Sequence, residues 1–296
     1  MEIFNDIFNE IKTQLLSVIG NDRDLFERAL INVSNDYYLT YIVNDCFLKV
    51  ATCDNFHYKP LCNEIHLGNV NFNSEFLKPK MIFTYSSENV AIKIEEKVNA
   101  IPLGKRRDDF SININYNKNE LIKRINLISK AKLDSEIDLL IFNRNEKILK
   151  YIDECEEYID AALIEKCTKI AENHIDCELV LSHGDLIPSN ILVDNNNYIF
   201  IDWEWAAYRS KTYDLVLFLL FSNIPNMILL DFKAYFNGES LLSAYLDSIM
   251  ISLHEIKNWK NEKIYIENKD SKISMWLLTL KKAVELIENL NGVNQI

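Results

Sequence analysis

The sequence predicts an α+β protein in which a small antiparallel sheet precedes a mainly helical C-terminal half. Between residues 30 and 95, apolar residues form short runs separated by polar turns, which is typical of strands. After residue 106 they recur every three to four positions, which is typical of helices with one buried face. A strand, a loop and a β-hairpin at 179–203 interrupt these helices.

The N-terminal half is predicted to contain five strands and two helices. Apolar residues recur at helical spacing over residues 1–20. Asn44-Asp45 is a two-residue turn of the kind that joins antiparallel strands. Pro60 marks the first turn of a second helix, which runs to Leu67. The predicted strands are 30–33, 37–43, 46–51, 81–85 and 90–95.

The C-terminal half is predicted to be helical apart from the hairpin. In its first helix, Leu121 and Ile125 fall on one face. We therefore expect an N-terminal nucleotide-binding lobe over 1–98, a connector over 99–105 and a helical lobe over 106–296. The predicted helices are 119–132, 146–155, 159–174, 213–221, 240–257 and 271–289.

Composition narrows the classes of function. The chain has 296 residues, a hydrophobic content of 48% and a formal net charge of −12, and its pI is near 5.0. So acidic a chain is poorly suited to nucleic acid or an anionic membrane, and we expect neither as a partner. None of its six cysteines forms a C-x-x-C pair, which argues against a zinc site.

We expect a cytoplasmic protein that acts as a monomer or homodimer. The N-terminal residues carry early acids and no basic region, unlike a secretory signal. The longest apolar run, 215–221, is far too short to cross a bilayer. Cysteines scattered through a chain of this size usually behave as small, buried apolar side chains.

The most informative stretch is SHGDLIPSNILVD at 182–194, followed by YIFIDWE at 198–204. This pattern predicts a loop carrying a carboxylate, a polar residue five positions on, and a hairpin that ends in a second Asp. Phosphoryl transfer from ATP needs a carboxylate to receive a hydroxyl proton, and an Asn and an Asp to hold magnesium. The stretch therefore predicts an ATP- and Mg²⁺-dependent phosphotransferase.

HGDLIPSNILVD with IDWEWA resembles the aminoglycoside phosphotransferase and choline kinase family, whose members phosphorylate hydroxyls of small molecules. The resemblance is strong over 180–215 and weaker over 40–104. It implies a two-lobed, protein-kinase-like fold, with the small sheet lobe first and the helical lobe second. Gly184 stands where protein kinases have Arg, and the Asp-Phe-Gly and Ala-Pro-Glu motifs of protein kinases are absent.

The resemblance implies roles for three residues. Asp185 would orient the acceptor hydroxyl and take its proton, which requires hydrogen-bond reach rather than an unusual pKa. Asn190 and Asp202 would hold magnesium, since a hard cation takes oxygen ligands. The alternative for Asp185 is an Asp that caps a turn after a strand.

The resemblance also implies a nucleotide site in the first half. Lys49 would contact the α- and β-phosphates, with Glu64 as its partner on the following helix. The alternatives are an exposed edge lysine and a solvated glutamate. No glycine-rich loop is present, so Ser34 and Asn35 would face the phosphates instead. The adenine would be bound by the backbone of Glu96 and Val98.

Several neighbouring residues have supporting or alternative roles. His183 is expected to hold the loop by hydrogen bonding, and Asp214 to cap a helix and brace the loop. Glu204 is expected either near the metal or substrate, or as a cap of the next turn. The candidates for acceptor recognition are the aromatic residues Trp203, Trp205, Tyr208, Trp259 and Trp276 and the acidic residues Asp247, Glu255 and Glu262.

The sequence leaves the acceptor open. An amino sugar or aminoglycoside-like molecule is the first expectation, because an acidic chain attracts a polycation. Choline, ethanolamine or a simple sugar is the second. A different class of function is a catalytically silent, nucleotide-binding pseudokinase module, but the sequence retains Asp185, Asn190 and Asp202, which such a module would be expected to lose.

Overall fold

The computed structural model describes residues 39–43, 46–68, 78–105, 107, 109–112, 114–131, 139–173, 178–194, 197–262 and 268–293. The predicted helix over 1–20 and the predicted strand over 30–33 lie outside these residues. The chain folds into two compact units. The first contains the described residues of Met1–Ile101, Ala131–Leu139 and Leu192–Ala206, and the second those of Pro102–Lys130, Leu140–Ile191 and Ala207–Ile296.

The first unit contains a four-stranded antiparallel sheet. Its strands lie in the order β1-β2-β4-β3, and every pairing is antiparallel. Strand β4 is buried on both faces from Val90 to Glu95, although its sequence includes the charged Lys93 and Glu95. These are four of the five predicted strands: β1 (Leu39–Val43), β2 (Cys46–Thr52), β3 (Met81–Ser86) and β4 (Val90–Glu96).

Helix α1 (Tyr58–Gly68) packs on this sheet. Its Leu61 and Ile65 form a buried cluster with Ala51 of β2 and Ala91 of β4. The helix begins two residues before Pro60, so that this proline lies in the first turn, where its missing N–H costs nothing. At the other end, Lys78 Nζ donates to the carbonyls of Leu67 and Gly68 at 2.9 and 3.1 Å. Both ends of α1 are therefore anchored.

The predicted hairpin is present. It consists of β7 (Ile191–Asp194) and β8 (Asn197–Phe200), which are neighbours in one sheet. Asp202 follows β8 with a left-handed backbone, at φ 68° and ψ 59°. Among the described non-glycine residues it is the one with positive φ. A short 3-10 turn over Trp203–Trp205 comes next.

The second unit is mainly helical. Helix α5 (Tyr213–Phe221) is buried on all sides, as expected of a helix that is apolar all round. Asn143 caps helix α3 (Arg144–Cys155) by accepting from the Glu146 N–H at 3.1 Å. This cap explains why the helix starts two residues before the predicted 146–155. The helices are α2 (Lys118–Ile128), α3 (Arg144–Cys155), α4 (Ala161–Asn173), α5, α6 (Pro225–Ile228), α7 (Gly238–Lys260) and α8 (Lys269–Val293).

The α+β architecture is as predicted, with some additional short elements. A two-stranded antiparallel sheet joins β6 (Leu179–Ser182) to β9 (Ala207–Ser210), and β5 is only Ile101–Pro102. Strands β5 and β9 and helix α6 were not predicted, because segments this short carry too few residues to show a period. No helix in the described ranges is both long and apolar enough to cross a membrane.

Candidate active site

Lys49 is the centre of a buried ionic cluster in the first unit. Its Nζ donates to Glu64 Oε2 at 3.2 Å, Asp202 Oδ1 at 2.7 Å and Glu204 Oε1 at 2.7 Å. The residue is 6% exposed, although it lies on a strand between apolar neighbours. Lys49 is therefore no edge lysine, and the predicted pair with Glu64 is present in the structure.

Glu64 has a partner for each of its carboxylate oxygens. While Oε2 accepts from Lys49, Oε1 accepts from Lys93 Nζ at 2.7 Å and from the Trp203 N–H at 3.0 Å. Burial alone would raise the pKa of Glu64, but Lys49 and Lys93 together hold the pKa of this carboxyl below its ordinary value. Glu64 is therefore a buried anion rather than a solvated helix residue.

Asp202 is held between a cation and other acids. Desolvation, followed by the carboxylates of Glu204 and Glu64, raises the pKa of Asp202 to about 6, although Lys49 opposes this. Its left-handed backbone is a conformation that an L-residue with a Cβ adopts at some cost. Strained residues with a shifted pKa are concentrated at functional sites, and Asp202 combines both features.

Glu204, whose role the sequence left open, also contacts Lys49. It is 3% exposed, and its second oxygen lies 3.3 Å from His57 Nδ1. Oxygens of Glu64, Asp202 and Glu204 lie within 4.8 Å of one another. Three carboxylates at this spacing, with Lys49 between them, make an oxygen-rich and net negative environment that fits a hard divalent cation.

In the second unit, Asp185 and Asn190 contact each other. The Asn190 amide donates from Nδ2 to Asp185 Oδ2 at 3.0 Å and to the Asp185 carbonyl at 2.8 Å. Asn190 lies in a 3-10 turn that begins at Pro188. Because Nδ2 makes these two hydrogen bonds, Asn190 would bind a cation through its other amide atom, Oδ1. The five-residue spacing thus joins the two side chains directly.

The loop that carries Asp185 is braced by Asp214. The Asp214 carboxylate accepts from Ser182 Oγ at 2.8 Å, from the His183 N–H at 2.8 Å and from the Gly184 N–H at 3.1 Å. The predicted bracing is therefore confirmed. The predicted capping is wrong, because Thr212 occupies the N-cap of α5 and the Asp214 carboxylate turns to the loop.

His183 holds the same loop. It is fully buried, and its Nδ1 accepts from the Asp185 N–H at 3.3 Å, which agrees with the predicted hydrogen-bonding role. Gly184 has φ 83°, in the left-handed region where glycine carries no penalty. These two residues turn the chain sharply immediately before Asp185.

Arg107 contacts Asp185 and was not anticipated from the sequence. Its Nη1 donates to Asp185 Oδ1, its Nη2 donates to Glu255 Oε1 at 2.7 Å, and its guanidinium lies 4.8 Å from the centre of the Phe221 ring. Burial opposes ionisation of Glu255, but the Arg107 charge, helped by His254, outweighs it and holds the pKa of this carboxyl at about 2.

Most of the residues proposed for acceptor recognition are buried. Asp247 is completely enclosed, and it pairs with Arg144 at 3.3 Å and accepts from Ser210 and Thr212. Glu255 is likewise buried, against Arg107. The indoles of Trp203, Trp259 and Trp276 are in the core. The other three candidates, Trp205, Tyr208 and Glu262, are partly exposed.

The predicted adenine and phosphate contacts are only partly within the described chain. Ser34 and Asn35 lie outside the described residues. Glu96 ends β4, and its N–H already donates to the Lys80 carbonyl at 2.9 Å. Val98 follows in an irregular segment. Adenine recognition at Glu96 would therefore fall to its carbonyl oxygen.

The fold is that of the protein-kinase-like phosphotransferases. A choline/ethanolamine kinase family protein of Mesorhizobium loti superposes with a TM-score of 0.56 at 12% identity, covering 86% of this chain and 90% of that one. Aminoglycoside phosphotransferase APH(4)-Ia, in ternary complex with ADP and hygromycin B, superposes with a TM-score of 0.53 at 12% identity, covering 83% and 88%.

Sequence comparisons give partial matches to a phosphotransferase family and to other proteins. Residues 129–245 match the profile of the APH family, described as the phosphotransferase enzyme family. A LicA homolog of Mycoplasma capricolum is 21% identical over 212 residues, which cover 69% of this chain and 79% of that protein. A D-alanine–D-alanine ligase of Borrelia duttonii is 28% identical over 138 residues, 45% of this chain, but the match spans only 36% of that protein's length.

Proposed function

We propose that this protein is an ATP- and Mg²⁺-dependent phosphotransferase that phosphorylates a hydroxyl group of a small molecule. The observation that carries the proposal is the contact of the buried Lys49 with both Glu64 and Asp202. A strand lysine, a helix glutamate and the acid after the hairpin are the parts that phosphoryl transfer uses to position a nucleotide and its metal.

In the first unit, Lys49 steadies the α- and β-phosphates of ATP, and Glu64 orients Lys49. The carboxylate of Asp202 would hold magnesium on the side of the first unit, and the Asn190 amide oxygen is the proposed ligand from the second unit. Bound magnesium supplies positive charge that neutralises the phosphate oxygens. Lys49 is shared among three carboxylates, so a phosphate group that enters the site offers it a further anionic partner. Ser34, Asn35, Glu96 and Val98 are proposed as further nucleotide contacts.

In the second unit, Asp185 accepts the proton of the acceptor hydroxyl as its oxygen bonds to the γ-phosphorus of ATP; the bond from that phosphorus to the β,γ-bridging oxygen breaks, and ADP leaves. Asn190 orients the Asp185 carboxylate through its amide and offers Oδ1 to the cation. The hydroxyl must lie within hydrogen-bond reach of Asp185, so Arg107 must share this carboxylate with the acceptor or move away. The catalytic gain is expected to come mainly from positioning and charge stabilisation.

We propose an amino sugar or aminoglycoside-like molecule as the acceptor. The chain has a net charge of −12, which favours association with a cationic acceptor, and one structure of similar fold is a complex with hygromycin B. A choline, ethanolamine or simple sugar acceptor is the alternative, and the likeness to a choline/ethanolamine kinase family protein favours it. A silent nucleotide-binding module is the alternative of another class.

The proposal is tested by ATP consumption over a panel of amino sugars, aminoglycosides, choline, ethanolamine and simple sugars. We expect acceptor-stimulated, magnesium-dependent turnover with at least one class. Tight nucleotide binding without turnover for any acceptor would favour the silent module. Failure to bind ATP with magnesium at all would contradict both.

A further inference from the structure

Lys93 forms a second buried ion pair behind Lys49. It lies directly opposite Lys49 in the pairing of β2 with β4, so both side chains leave the sheet on the same face. Its ammonium is completely buried, and it lies 2.7 Å from Glu64 Oε1 and 2.7 Å from Glu95 Oε2. Lys93 is therefore tied both to the helix acid and to its own strand.

The contacts of Glu64 are divided between the two lysines. Lys93 takes Oε1 and Lys49 takes Oε2, so the plane of the carboxylate is set from both sides. The Trp203 N–H also donates to Oε1 and links it to the turn that follows Asp202. A carboxylate with donors on both oxygens has little freedom to rotate away from Lys49.

We propose that Lys93 is a positioning residue that orients Glu64 and through it Lys49 for nucleotide binding. The inference rests on the proposed function of Lys49. Two buried ion pairs would not be needed for stability alone, because well-packed apolar side chains are often equally stable in such places. A fixed carboxylate, by contrast, determines where the Lys49 ammonium lies.

The experiment compares K93M/E95L with E95Q. The double variant removes Lys93 together with Glu95 and leaves Glu64 with Lys49 and the Trp203 N–H, so its thermal midpoint should fall while the chain stays folded. Affinity for ATP with magnesium should be about 10- to 100-fold weaker, as is typical when a supporting contact of a functional side chain is lost. E95Q keeps the contact of Lys93 with Glu64, so its affinity should match the parent.

Three outcomes overturn an assignment. Parental ATP affinity in K93M/E95L would show that Lys93 is only structural. Equal losses in E95Q and in the double variant would assign the effect to Glu95 instead. Parental affinity in K49M would refute the proposed function itself, which the Lys93 variants do not address. Should the double variant not fold, K93Q/E95Q removes the same charges with polar side chains of similar size and is judged by the same affinities.

Discussion

Arg107 donates to the carboxylate of Asp185 and binds Glu255 with its other terminal nitrogen. The proposed catalytic base therefore shares a cation with a buried acid of α7. Because the Glu255 carboxyl is 2% exposed, it depends on Arg107 and on the neighbouring His254 for its charge. Titration of Glu255 should therefore affect the stability of the protein through Arg107, which also contacts the proposed base Asp185.

The first prediction concerns this pH dependence. The folded pKa of Glu255, about 2, lies below its ordinary value of 4.5, so its stabilisation is present above 4.5 and is lost as the pH falls toward 2. Over that window the parent should lose up to roughly 3 kcal/mol from this group. Urea unfolding at several pH values should show a flatter profile for E255Q. Parallel profiles for parent and variant would contradict the assignment.

The second prediction is that D185N folds normally but turns over slowly. Loss of a general base typically reduces the rate by about 10²- to 10⁴-fold, whereas nucleotide affinity should hardly change. Steady-state turnover and ATP affinity are measured side by side. Asp194, an exposed acid at the end of β7, supplies the control D194N, which should turn over like the parent. Near-parental turnover in D185N would remove Asp185 from the role of base.

The third prediction separates the backbone of Asp202 from its carboxylate. D202N, D202A and D202G should all lose magnesium-dependent ATP binding, because each removes the proposed ligand and a partner of Lys49. Thermal stability should be lowest for alanine, which carries a left-handed penalty of about 1–2 kcal/mol, since asparagine tolerates this region and glycine has no penalty there. Unchanged ATP affinity at saturating magnesium in D202N would exclude the ligand role.

The fourth prediction concerns the brace on the catalytic loop. D214A removes the acceptor of three loop donors and leaves buried N–H groups unpaired, at about 1–3 kcal/mol each. We expect lower stability and a fall in kcat, with little change in the affinity for ATP. S182A removes one of the three donors and should show a much smaller effect on both. A normal kcat in a stably folded D214A would contradict the bracing role.

The family resemblance predicts the Lys49–Glu64 pair, because it implies a strand lysine with an acidic partner on the following helix. Lys93 stands between Ile92 and Ile94 on β4, and a lysine flanked by buried apolar residues needs a partner. Only the structure shows that Lys93 and Lys49 meet at one carboxylate.

Arg107 could not be predicted in this way. Arg107 lies outside the helices and strands, so no apolar periodicity indicates where its side chain lies. Its partners Asp185 and Glu255 are 78 and 148 residues away along the chain. The misassignment of Asp247 has a related cause. An acid on a helix is usually exposed, and only the packing of Arg144 and the Ser210 and Thr212 hydroxyls around it accounts for its burial.

The cross-strand pair of Lys49 and Lys93 has a consequence for folding. Two ammonium groups directly opposite each other disfavour the pairing of β2 with β4. Glu64 contacts both ammonium groups, but it does so only once α1 has docked on the sheet. Sheet and helix should therefore form and open as one cooperative unit, and their amide hydrogens should exchange with a common opening free energy.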